Sequence, residues 1–436
     1  MSQFIWSKGD GSVSDETVME FMAGEDLDLD TELLPYDIRA SQAHARGLVD
    51  AGILSTAEAQ QLVTTLDEIA AAVSSGGRRL GPEFEDGHSA IEAWLIEQLG
   101  DLGRKIHTGR SRNDQVGVAL RLWMKDRLGQ LAATCADIAE GCLVEAAAGE
   151  WQPMPGYTHL QRAMPSSLGL WFAGHAEAFI DNLELALLTR RWLDACPLGT
   201  ASGFGVNLDL PRQAVSEELG FSRLVVNPQY AQNARGKVEL QAVTALAAAS
   251  GDLRRLAWDL SLFASSEFGF VRLPDAYCTG SSIMPNKRNP DAVELLRGLH
   301  PVVIGAQAEL AASLSLPSGY QRDLQVTKAP LIRAFDRGLK GLSLVPGLLS
   351  KLSWDAGRME QAISKEMHAT DLAIEKSRQG EAFRTAYQEA AKEISQSGPR
   401  DSLASLEQRI SPGACGRLEL GLLQTRLDSL AGAGQN

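Results

Sequence analysis

Apolar residues recur at helical spacing along most of this chain, and strand-like alternation is scarce. From Asp114 to about Glu150 there is no proline, and Val116, Leu120, Leu122, Leu128, Leu131, Ile138 and Leu143 keep a helical period. At 1.5 Å per residue that helix runs ~50 Å. Further long runs follow from Ser166 to about Asp194, Gly236 to Ser266, Pro290 to about Ser315, and after Gln325 to about Leu352. Ahead of them, Tyr36 to Ala51 reads as a helix closed by Gly52. Ser55-Thr56-Ala57-Glu58 is a capping box before Leu62, Val63, Leu66 and Ile69. Gly76-Gly77 and Pro82 break that helix, and Ile91 to Leu99 is amphipathic again. Residues 1–36 read as an acidic, irregular, solvated stretch. Residues 196–234 read as Gly-rich and irregular, with a short helix at Arg212–Leu219. Past about residue 355 the pattern predicts shorter helices, Pro399 and Pro412 as breakers, and a flexible Ala-Gly-Ala-Gly tail. The pattern therefore predicts an all-α chain in which five long helices form an elongated bundle. Ala242, Ala245, Ala248 and Ala249 permit close helix approach, and the apolar surface of so long a bundle predicts oligomerisation.

Composition narrows the classes. With 436 residues the chain can hold two or three domains, and 44% hydrophobic content is ordinary for a globular protein. A formal charge of −14 argues against nucleic acid or an anionic membrane as general partner. The five cysteines are scattered without a CxxC pair, so neither a disulfide framework nor a zinc site is expected. Met1 to Asp10 is polar, without the apolar core of an export signal, and no apolar run of ~18 residues occurs. A cytoplasmic enzyme is the expectation.

Three polar clusters interrupt the helical pattern: 105–114, 156–162 and 280–291. Each is expected at a helix boundary. In the third, Gly280-Ser281-Ser282 offers N–H and hydroxyl donors, and Lys287 and Arg288 add positive charge. Asn289-Pro290-Asp291 then suits a helix start, with Asn as N-cap, Pro at the first position and Asp near the positive dipole end. A loop delivering donors and cations to a helix N-terminus is where an anion would bind, although composition alone favours the alternative, an ordinary surface loop. Taken singly, His88, His107 and His159 read as structural hydrogen bonders, and Arg112, Lys287 and Glu294 as solvated charges. Ser281 is a very weak base unless its surroundings stabilise the alkoxide.

Taken together, the clusters resemble a known family. Gly280–Asp291 looks like the GSSxMPxKxNP signature of the fumarase/aspartase superfamily. His107-Thr108-Gly109-Arg110-Ser111-Arg112-Asn113-Asp114-Gln115-Val116 and Met154-Pro155-Gly156-Tyr157-Thr158-His159-Leu160-Gln161 resemble its first two motifs in their argininosuccinate lyase form. Ser265–Phe270 and Tyr320–Gln325 also resemble that family, and the agreement runs from about Trp6 to about Asp336. The resemblance implies an all-α, three-domain fumarase/aspartase-type fold with a central five-helix bundle. The domains would be an N-terminal helical one (1–108), the long-helix bundle (109–355) and a small C-terminal helical one (356–436). It implies a homotetramer whose active sites each draw on three subunits. The implied reaction is reversible elimination of fumarate from argininosuccinate, leaving arginine, without metal or organic cofactor. By position, Ser281 matches the catalytic base and Lys287 its charge partner. His159, paired with Glu294, matches the general acid or the group that positions it. Arg112, Asn113, Thr158 and Asn289 match residues that hold the fumarate half. Asp30, Asp86, His88, Arg235, Tyr320, Arg322 and Gln325 match positions that line or orient the rest.

The departures concern the other half of the substrate. Lys287-Arg288 stands where Lys-Lys is usual, Arg322 replaces a usual Lys, and Asp26 falls where a substrate-contacting Ser is usual. Residues 200–238 differ from the common pattern. A related lyase acting on a modified or different fumarate adduct, or a non-catalytic structural relative, are the competing expectations.

Overall fold

The computed structural model describes residues 16–81 and 83–433. The polar segment Met1 to Asp10, the start of the family agreement at Trp6, and the helix breaker Pro82 lie outside the described residues. Helix α1 spans Glu16–Ala23 and α2 spans Asp26–Asp50. The acidic stretch expected to be irregular is thus helical over 16–23 and again from residue 26, and Pro35 lies inside α2. Asp26 and Asp28 suit the first turn of a helix. Leu33, Leu34 and Ile38 are buried on either side of the proline, and that burial carries the helix through a residue that lacks a ladder N–H. Helix α3 (Thr56–Ser74) opens on the expected capping box: Glu58 N–H donates to Ser55 Oγ at 3.2 Å, and Ser55 N–H donates to Glu58 at 2.8 Å. Helix α4 (Gly87–Leu99) is capped by Asp86, which accepts from Ser89 N–H at 2.8 Å. These helices bury Leu34, Ile38, Leu48, Leu62, Leu66, Ile91 and Leu95 in one cluster.

The five long helices are α5 (Arg112–Ala148), α6 (Leu168–Trp192), α7 (Lys237–Phe263), α8 (Asp291–Ala312) and α9 (Lys328–Leu342). Helix α9 ends well short of Leu352, because the chain breaks before a separate short helix, Val345–Leu349, that carries Pro346 near its start. Smaller helices follow, including α10 (Ala369–Arg378), α11 (Phe383–Glu393) and α12 (Leu420–Ala433). Ala431, Gly432 and Ala433, expected in a flexible tail, complete α12.

The chain is all-α apart from four two-stranded ribbons among the described residues: β1 (Pro153–Thr158) with β2 (Gln161–Ser167), β3 (Ala195–Cys196) with β4 (Arg223–Leu224), β5 (Val271–Arg272) with β8 (Ser353–Trp354), and β6 (Thr279–Gly280) with β7 (Arg288–Asn289). No described helix is long and apolar enough to cross a membrane. Two compact units result. The first holds residues up to Gly129, Ala186–Leu246 and Val303–Asp336; the second holds Gln130–Leu185, Ala247–Val302 and the chain from Arg337. The division falls within α5, α6, α7, α8 and α9. The first unit's core adds Val118, Leu122, Leu219 and Phe221 to the α2–α4 cluster. In the second, Trp171, Phe172, Phe263 and Trp354 pack edge to face.

Candidate active site

Nine residues nominated from the sequence line one cavity of about 160 Å³ in the first unit. Asp30 comes from α2, Asp86 and His88 from the start of α4, and Arg112 and Asn113 from the start of α5. Arg235 lies just before α7, and Tyr320, Arg322 and Gln325 just before α9. Helix starts thus supply most of the lining, which places several positive dipole ends around one small volume.

Charge in this cavity is paired almost throughout. His88 Nδ1 donates to Asp37 Oδ2 in a short contact. Burial alone would lower the imidazole's pKa, but Asp37, Asp86 and Asp30 raise it to about 9, so His88 is cationic at neutral pH. Burial works against the Asp86 carboxylate, yet His88, Arg112 and the Ser89 bonds hold it below its ordinary value. Arg112 Nη1 lies 2.7 Å from Glu85 and 3.4 Å from Asp86. Arg322 donates to the Met22 carbonyl at 3.1 Å and to Glu85 at 3.4 Å, and Gln325 donates to the same carbonyl at 2.8 Å. Glu85 therefore stands between two guanidinium groups. Arg235 is buried and held from behind: its Nε donates to the fully buried Glu239 at 3.1 Å, one helical turn on.

Four lining residues were not nominated from the sequence: Val116, which entered it only as an apolar helix position, and Glu85, Asp26 and Lys328. Lys328 Nζ lies 2.8 Å from Asp26 and 2.8 Å from Asp30. Burial would lower the Lys328 pKa, but the two carboxylates raise it. Asp30 also accepts the Gly87 N–H at 2.9 Å, so both its oxygens are engaged, Oδ2 tying α2 to α4 and Oδ1 tying it to Lys328 of α9. Asp26 differs: burial lifts its pKa, and Lys328 only partly offsets that. One signal for Lys328 was available, since it follows Gln325 by three residues. In the first motif, Asp114 is structural. It is fully buried and accepts N–H groups of Ser111, Gly199 and Ala201 at 2.8–3.0 Å, which fastens α5 to the Gly-rich segment.

The remaining nominated residues lie in the second unit. Thr158 ends β1, and His159 and Leu160 form the two-residue turn of the hairpin, with Thr158 paired to Gln161. This cluster was expected at a helix start, and the structure places it on a hairpin tip. Both turn residues have positive φ, 56° at His159 and 59° at Leu160. That is the backbone of a type I′ turn, which ordinarily takes Asn-Gly, so two bulky residues here store strain. His159 and Thr158 are exposed.

Ser281 to Lys287 form a seven-residue loop between β6 and β7. Ser281 Oγ accepts backbone N–H groups from Ile283 at 3.3 Å and Met284 at 3.1 Å. Lys287 is exposed at the other end. Asn289 is not the N-cap expected of it. It pairs in β7, its side-chain amide lies 3.5 Å from the Gly280 carbonyl, and the Pro290 carbonyl accepts the first helical bond, from Glu294 at 3.0 Å. The expected His159–Glu294 pair is absent within one chain among the described residues. Glu294 is half exposed and accepts from Arg297 at 3.3 Å.

Comparison with known proteins follows the same lines. A family model described as lyase matches residues 13–305. An argininosuccinate lyase of Xanthomonas euvesicatoria pv. vesicatoria (strain 85-10) is 52% identical over 431 residues, which is 99% of this chain and 100% of that protein. One from Stenotrophomonas maltophilia (strain R551-3) is 51% identical over 432 residues, again 99% and 100%. Among solved structures, an EDDS lyase in complex with formate has a TM-score of 0.78 at 23% identity, covering 97% of this chain and 91% of that one. A class II fumarase from Schistosoma mansoni has a TM-score of 0.73 at 16% identity, covering 89% and 91%. These two likenesses concern the fold.

Proposed function

The chain belongs to this lyase family, alongside the argininosuccinate lyases, and from that membership we propose that it eliminates fumarate reversibly from argininosuccinate, leaving arginine. It is a carbon–nitrogen lyase. The observation that carries the reading is the convergence of residues from five separate segments on one charged cavity, with Arg112 as a cation for a dicarboxylate.

The chemistry needs a base, a charge acceptor and an acid. Ser281 takes the proton from the carbon next to the succinyl carboxylate. The two backbone N–H groups on its oxygen favour the alkoxide that such a base requires. The resulting aci-carboxylate dianion is stabilised by Lys287 and by donors held in place beforehand. It collapses with cleavage of the C–N bond, and the leaving guanidino nitrogen takes a proton delivered by His159 or through it, with Glu294 as its partner. Arg112, Asn113, Thr158 and Asn289 hold the fumarate half. Asp30, Asp86, His88, Arg235, Tyr320, Arg322 and Gln325 line or orient the remainder.

In this reading His159 and Glu294 meet between subunits of a homotetramer, and the chain is organised as three domains, 1–108, 109–355 and 356–436. Exposed Val144, Leu188, Trp192, Trp258 and Leu295 on the long helices suit burial against further copies. Light scattering tests the tetramer. The same reading has the protein act in the cytoplasm. Purified protein supplied with saturating argininosuccinate should release fumarate, followed by its absorbance, and no release sinks the assignment. Asp26 beside Lys328 favours one second reading, a fumarate adduct with a different or modified head group. A panel of adenylosuccinate, aspartate, malate and acylated argininosuccinate separates the two. Ser281→Ala should lose about 10²-fold or more in kcat; unchanged turnover would remove Ser281 from its role.

A further inference from the structure

The loop that carries Ser281 and Lys287 is closed by a ladder of only two pairs, Thr279 with Asn289 and Gly280 with Arg288. Ser281 and Lys287 are the first residues beyond that ladder on either arm. Their placement is therefore decided at the neck of the loop, not at its tip. Packing does little to fix this neck. A Cβ built on Gly280 would meet nothing within 4 Å, and Arg288 and Asn286 border an open cavity of about 760 Å³. Polar bonds must hold it instead. Two of them join the neck's own arms: the Thr279 hydroxyl with the Asp291 carboxylate, and the Asn289 amide with the Gly280 carbonyl.

Arg288 reaches outside. Its Nη2 donates to the Leu273 carbonyl at 2.5 Å and to Asp275 Oδ1 at 2.6 Å. Leu273 is buried and follows directly on β5, which is paired to β8. Side chains alternate along extended backbone, so the anchored Arg288 leaves its neighbours Lys287 and Asn289 directed to the opposite face. Both bonds of Arg288 come from this one terminal nitrogen, and a lysine ammonium lies one bond nearer the backbone, without the guanidinium's fixed plane.

We propose that Arg288 is a positioning residue: by fastening the loop neck to Leu273 and Asp275 it sets where Ser281 and Lys287 stand, without touching the reacting atoms. This rests on the proposed roles of Ser281 and Lys287 in elimination. The anchor itself is testable without them.

The test compares the full-length protein with Arg288→Ala, Arg288→Lys, Asp275→Asn and the double variant Arg288→Ala/Asp275→Asn. Misplacing reacting groups by about an ångström costs up to ~10²-fold, so Arg288→Ala should lose about tenfold or more in kcat while KM moves by less than about twofold. Arg288→Lys should fall between, Asp275→Asn should reproduce part of the loss, and the double variant should be no worse than Arg288→Ala. Thermolysin, which cuts before apolar residues such as Ile283, should nick the loop of Arg288→Ala about tenfold faster in the native state. An exposed ion pair contributes little to global stability, so the melting temperature should shift by no more than about 2 °C. Wild-type kcat in Arg288→Ala, unchanged loop cleavage, or activity loss matched by a large fall in melting temperature would each overturn the proposal. If the wild-type protein releases no fumarate, the functional reading fails, while the cleavage rates still decide the anchor.

Discussion

His88 donates from Nδ1 to Oδ2 of Asp37 within the first unit, and the two side chains are only 10% and 3% exposed. The imidazole pKa of about 9 lies above the unfolded value of ~6.5. The folded state therefore binds the proton more tightly. The pair's contribution should be fully present below about pH 6.5 and should disappear as pH rises through about 9. At ~1.4 kcal/mol per pKa unit it amounts to at most about 3 kcal/mol. Urea denaturation across that window should show stability falling with pH, and Asp37→Asn should flatten the trend. Stability that is constant or rises over the same window would contradict the pairing.

Lys328 is the shared partner of Asp26 and Asp30 and is itself 5% exposed. Lys328→Met keeps the length of the side chain but leaves buried Asp30 and partly buried Asp26 without their counter-charge, which typically costs up to about 3–5 kcal/mol. Asp26 is already lifted by burial, and without the ammonium that offsets it the carboxyl should rise further. The deficit should then shrink as pH falls and the acids become neutral. Chemical denaturation of the variant at about pH 5 and about pH 8 checks both the size and the direction.

These two networks mark the limit of what the chain discloses before folding. Ser55 and Glu58, the proline-free run after Asp114, and the Gly280–Asp291 signature are local features, and each appears in the structure where the sequence puts it. Lys328 meeting Asp26, or Asp37 meeting His88, joins residues far apart in sequence, and no local pattern encodes such pairs. Pro35 hid the first turns of α2 because a local rule stopped at the proline, while burial of Leu33 and Leu34 sustained the helix. The β1–β2 hairpin was hidden for the opposite reason. Its turn uses His-Leu where Asn-Gly is the readable signal, and Pro153, Pro155 and Pro165 disguise its strands. The misread turn is the one that carries His159.

Leu160 offers a direct test of that stored strain. It is 73% exposed with φ 59°, so removing its side chain forfeits little burial while relieving a left-handed backbone. The strain is worth roughly 1–2 kcal/mol, and the glycine entropy cost is roughly 0.5–1 kcal/mol. Leu160→Gly should therefore gain about 0.5–1 kcal/mol by denaturation, whereas Leu→Gly at an ordinary exposed strand position loses stability. Turnover should fall at the same time, because the relaxed turn no longer fixes His159. A less stable variant with full activity would show that the turn conformation is incidental.

Arg322 tests how the cavity divides its labour. The side chain is about half exposed, so its replacement should leave folding intact. Its guanidinium serves two acceptors in different directions, the Met22 carbonyl at 3.1 Å and Glu85 at 3.4 Å. Glu85 is in turn the 2.7 Å partner of Arg112. Both bonds come from Nη2, and a lysine ammonium lies one bond nearer the backbone, so it falls short of these acceptors. Arg322→Lys should thus loosen one hold on Glu85, let that carboxylate bear more fully on Arg112, and weaken that cation's hold on a substrate carboxylate. Losing one charge-assisted bond of roughly 1 kcal/mol corresponds to a rise in KM of about fivefold. Arg322 belongs to the binding cavity and not to the loop of Ser281, so kcat should stay within about twofold. Steady-state kinetics with argininosuccinate separate the terms. A variant that lost kcat at constant KM would move Arg322 from binding to the chemical step, and with it Glu85 and the orientation of Arg112.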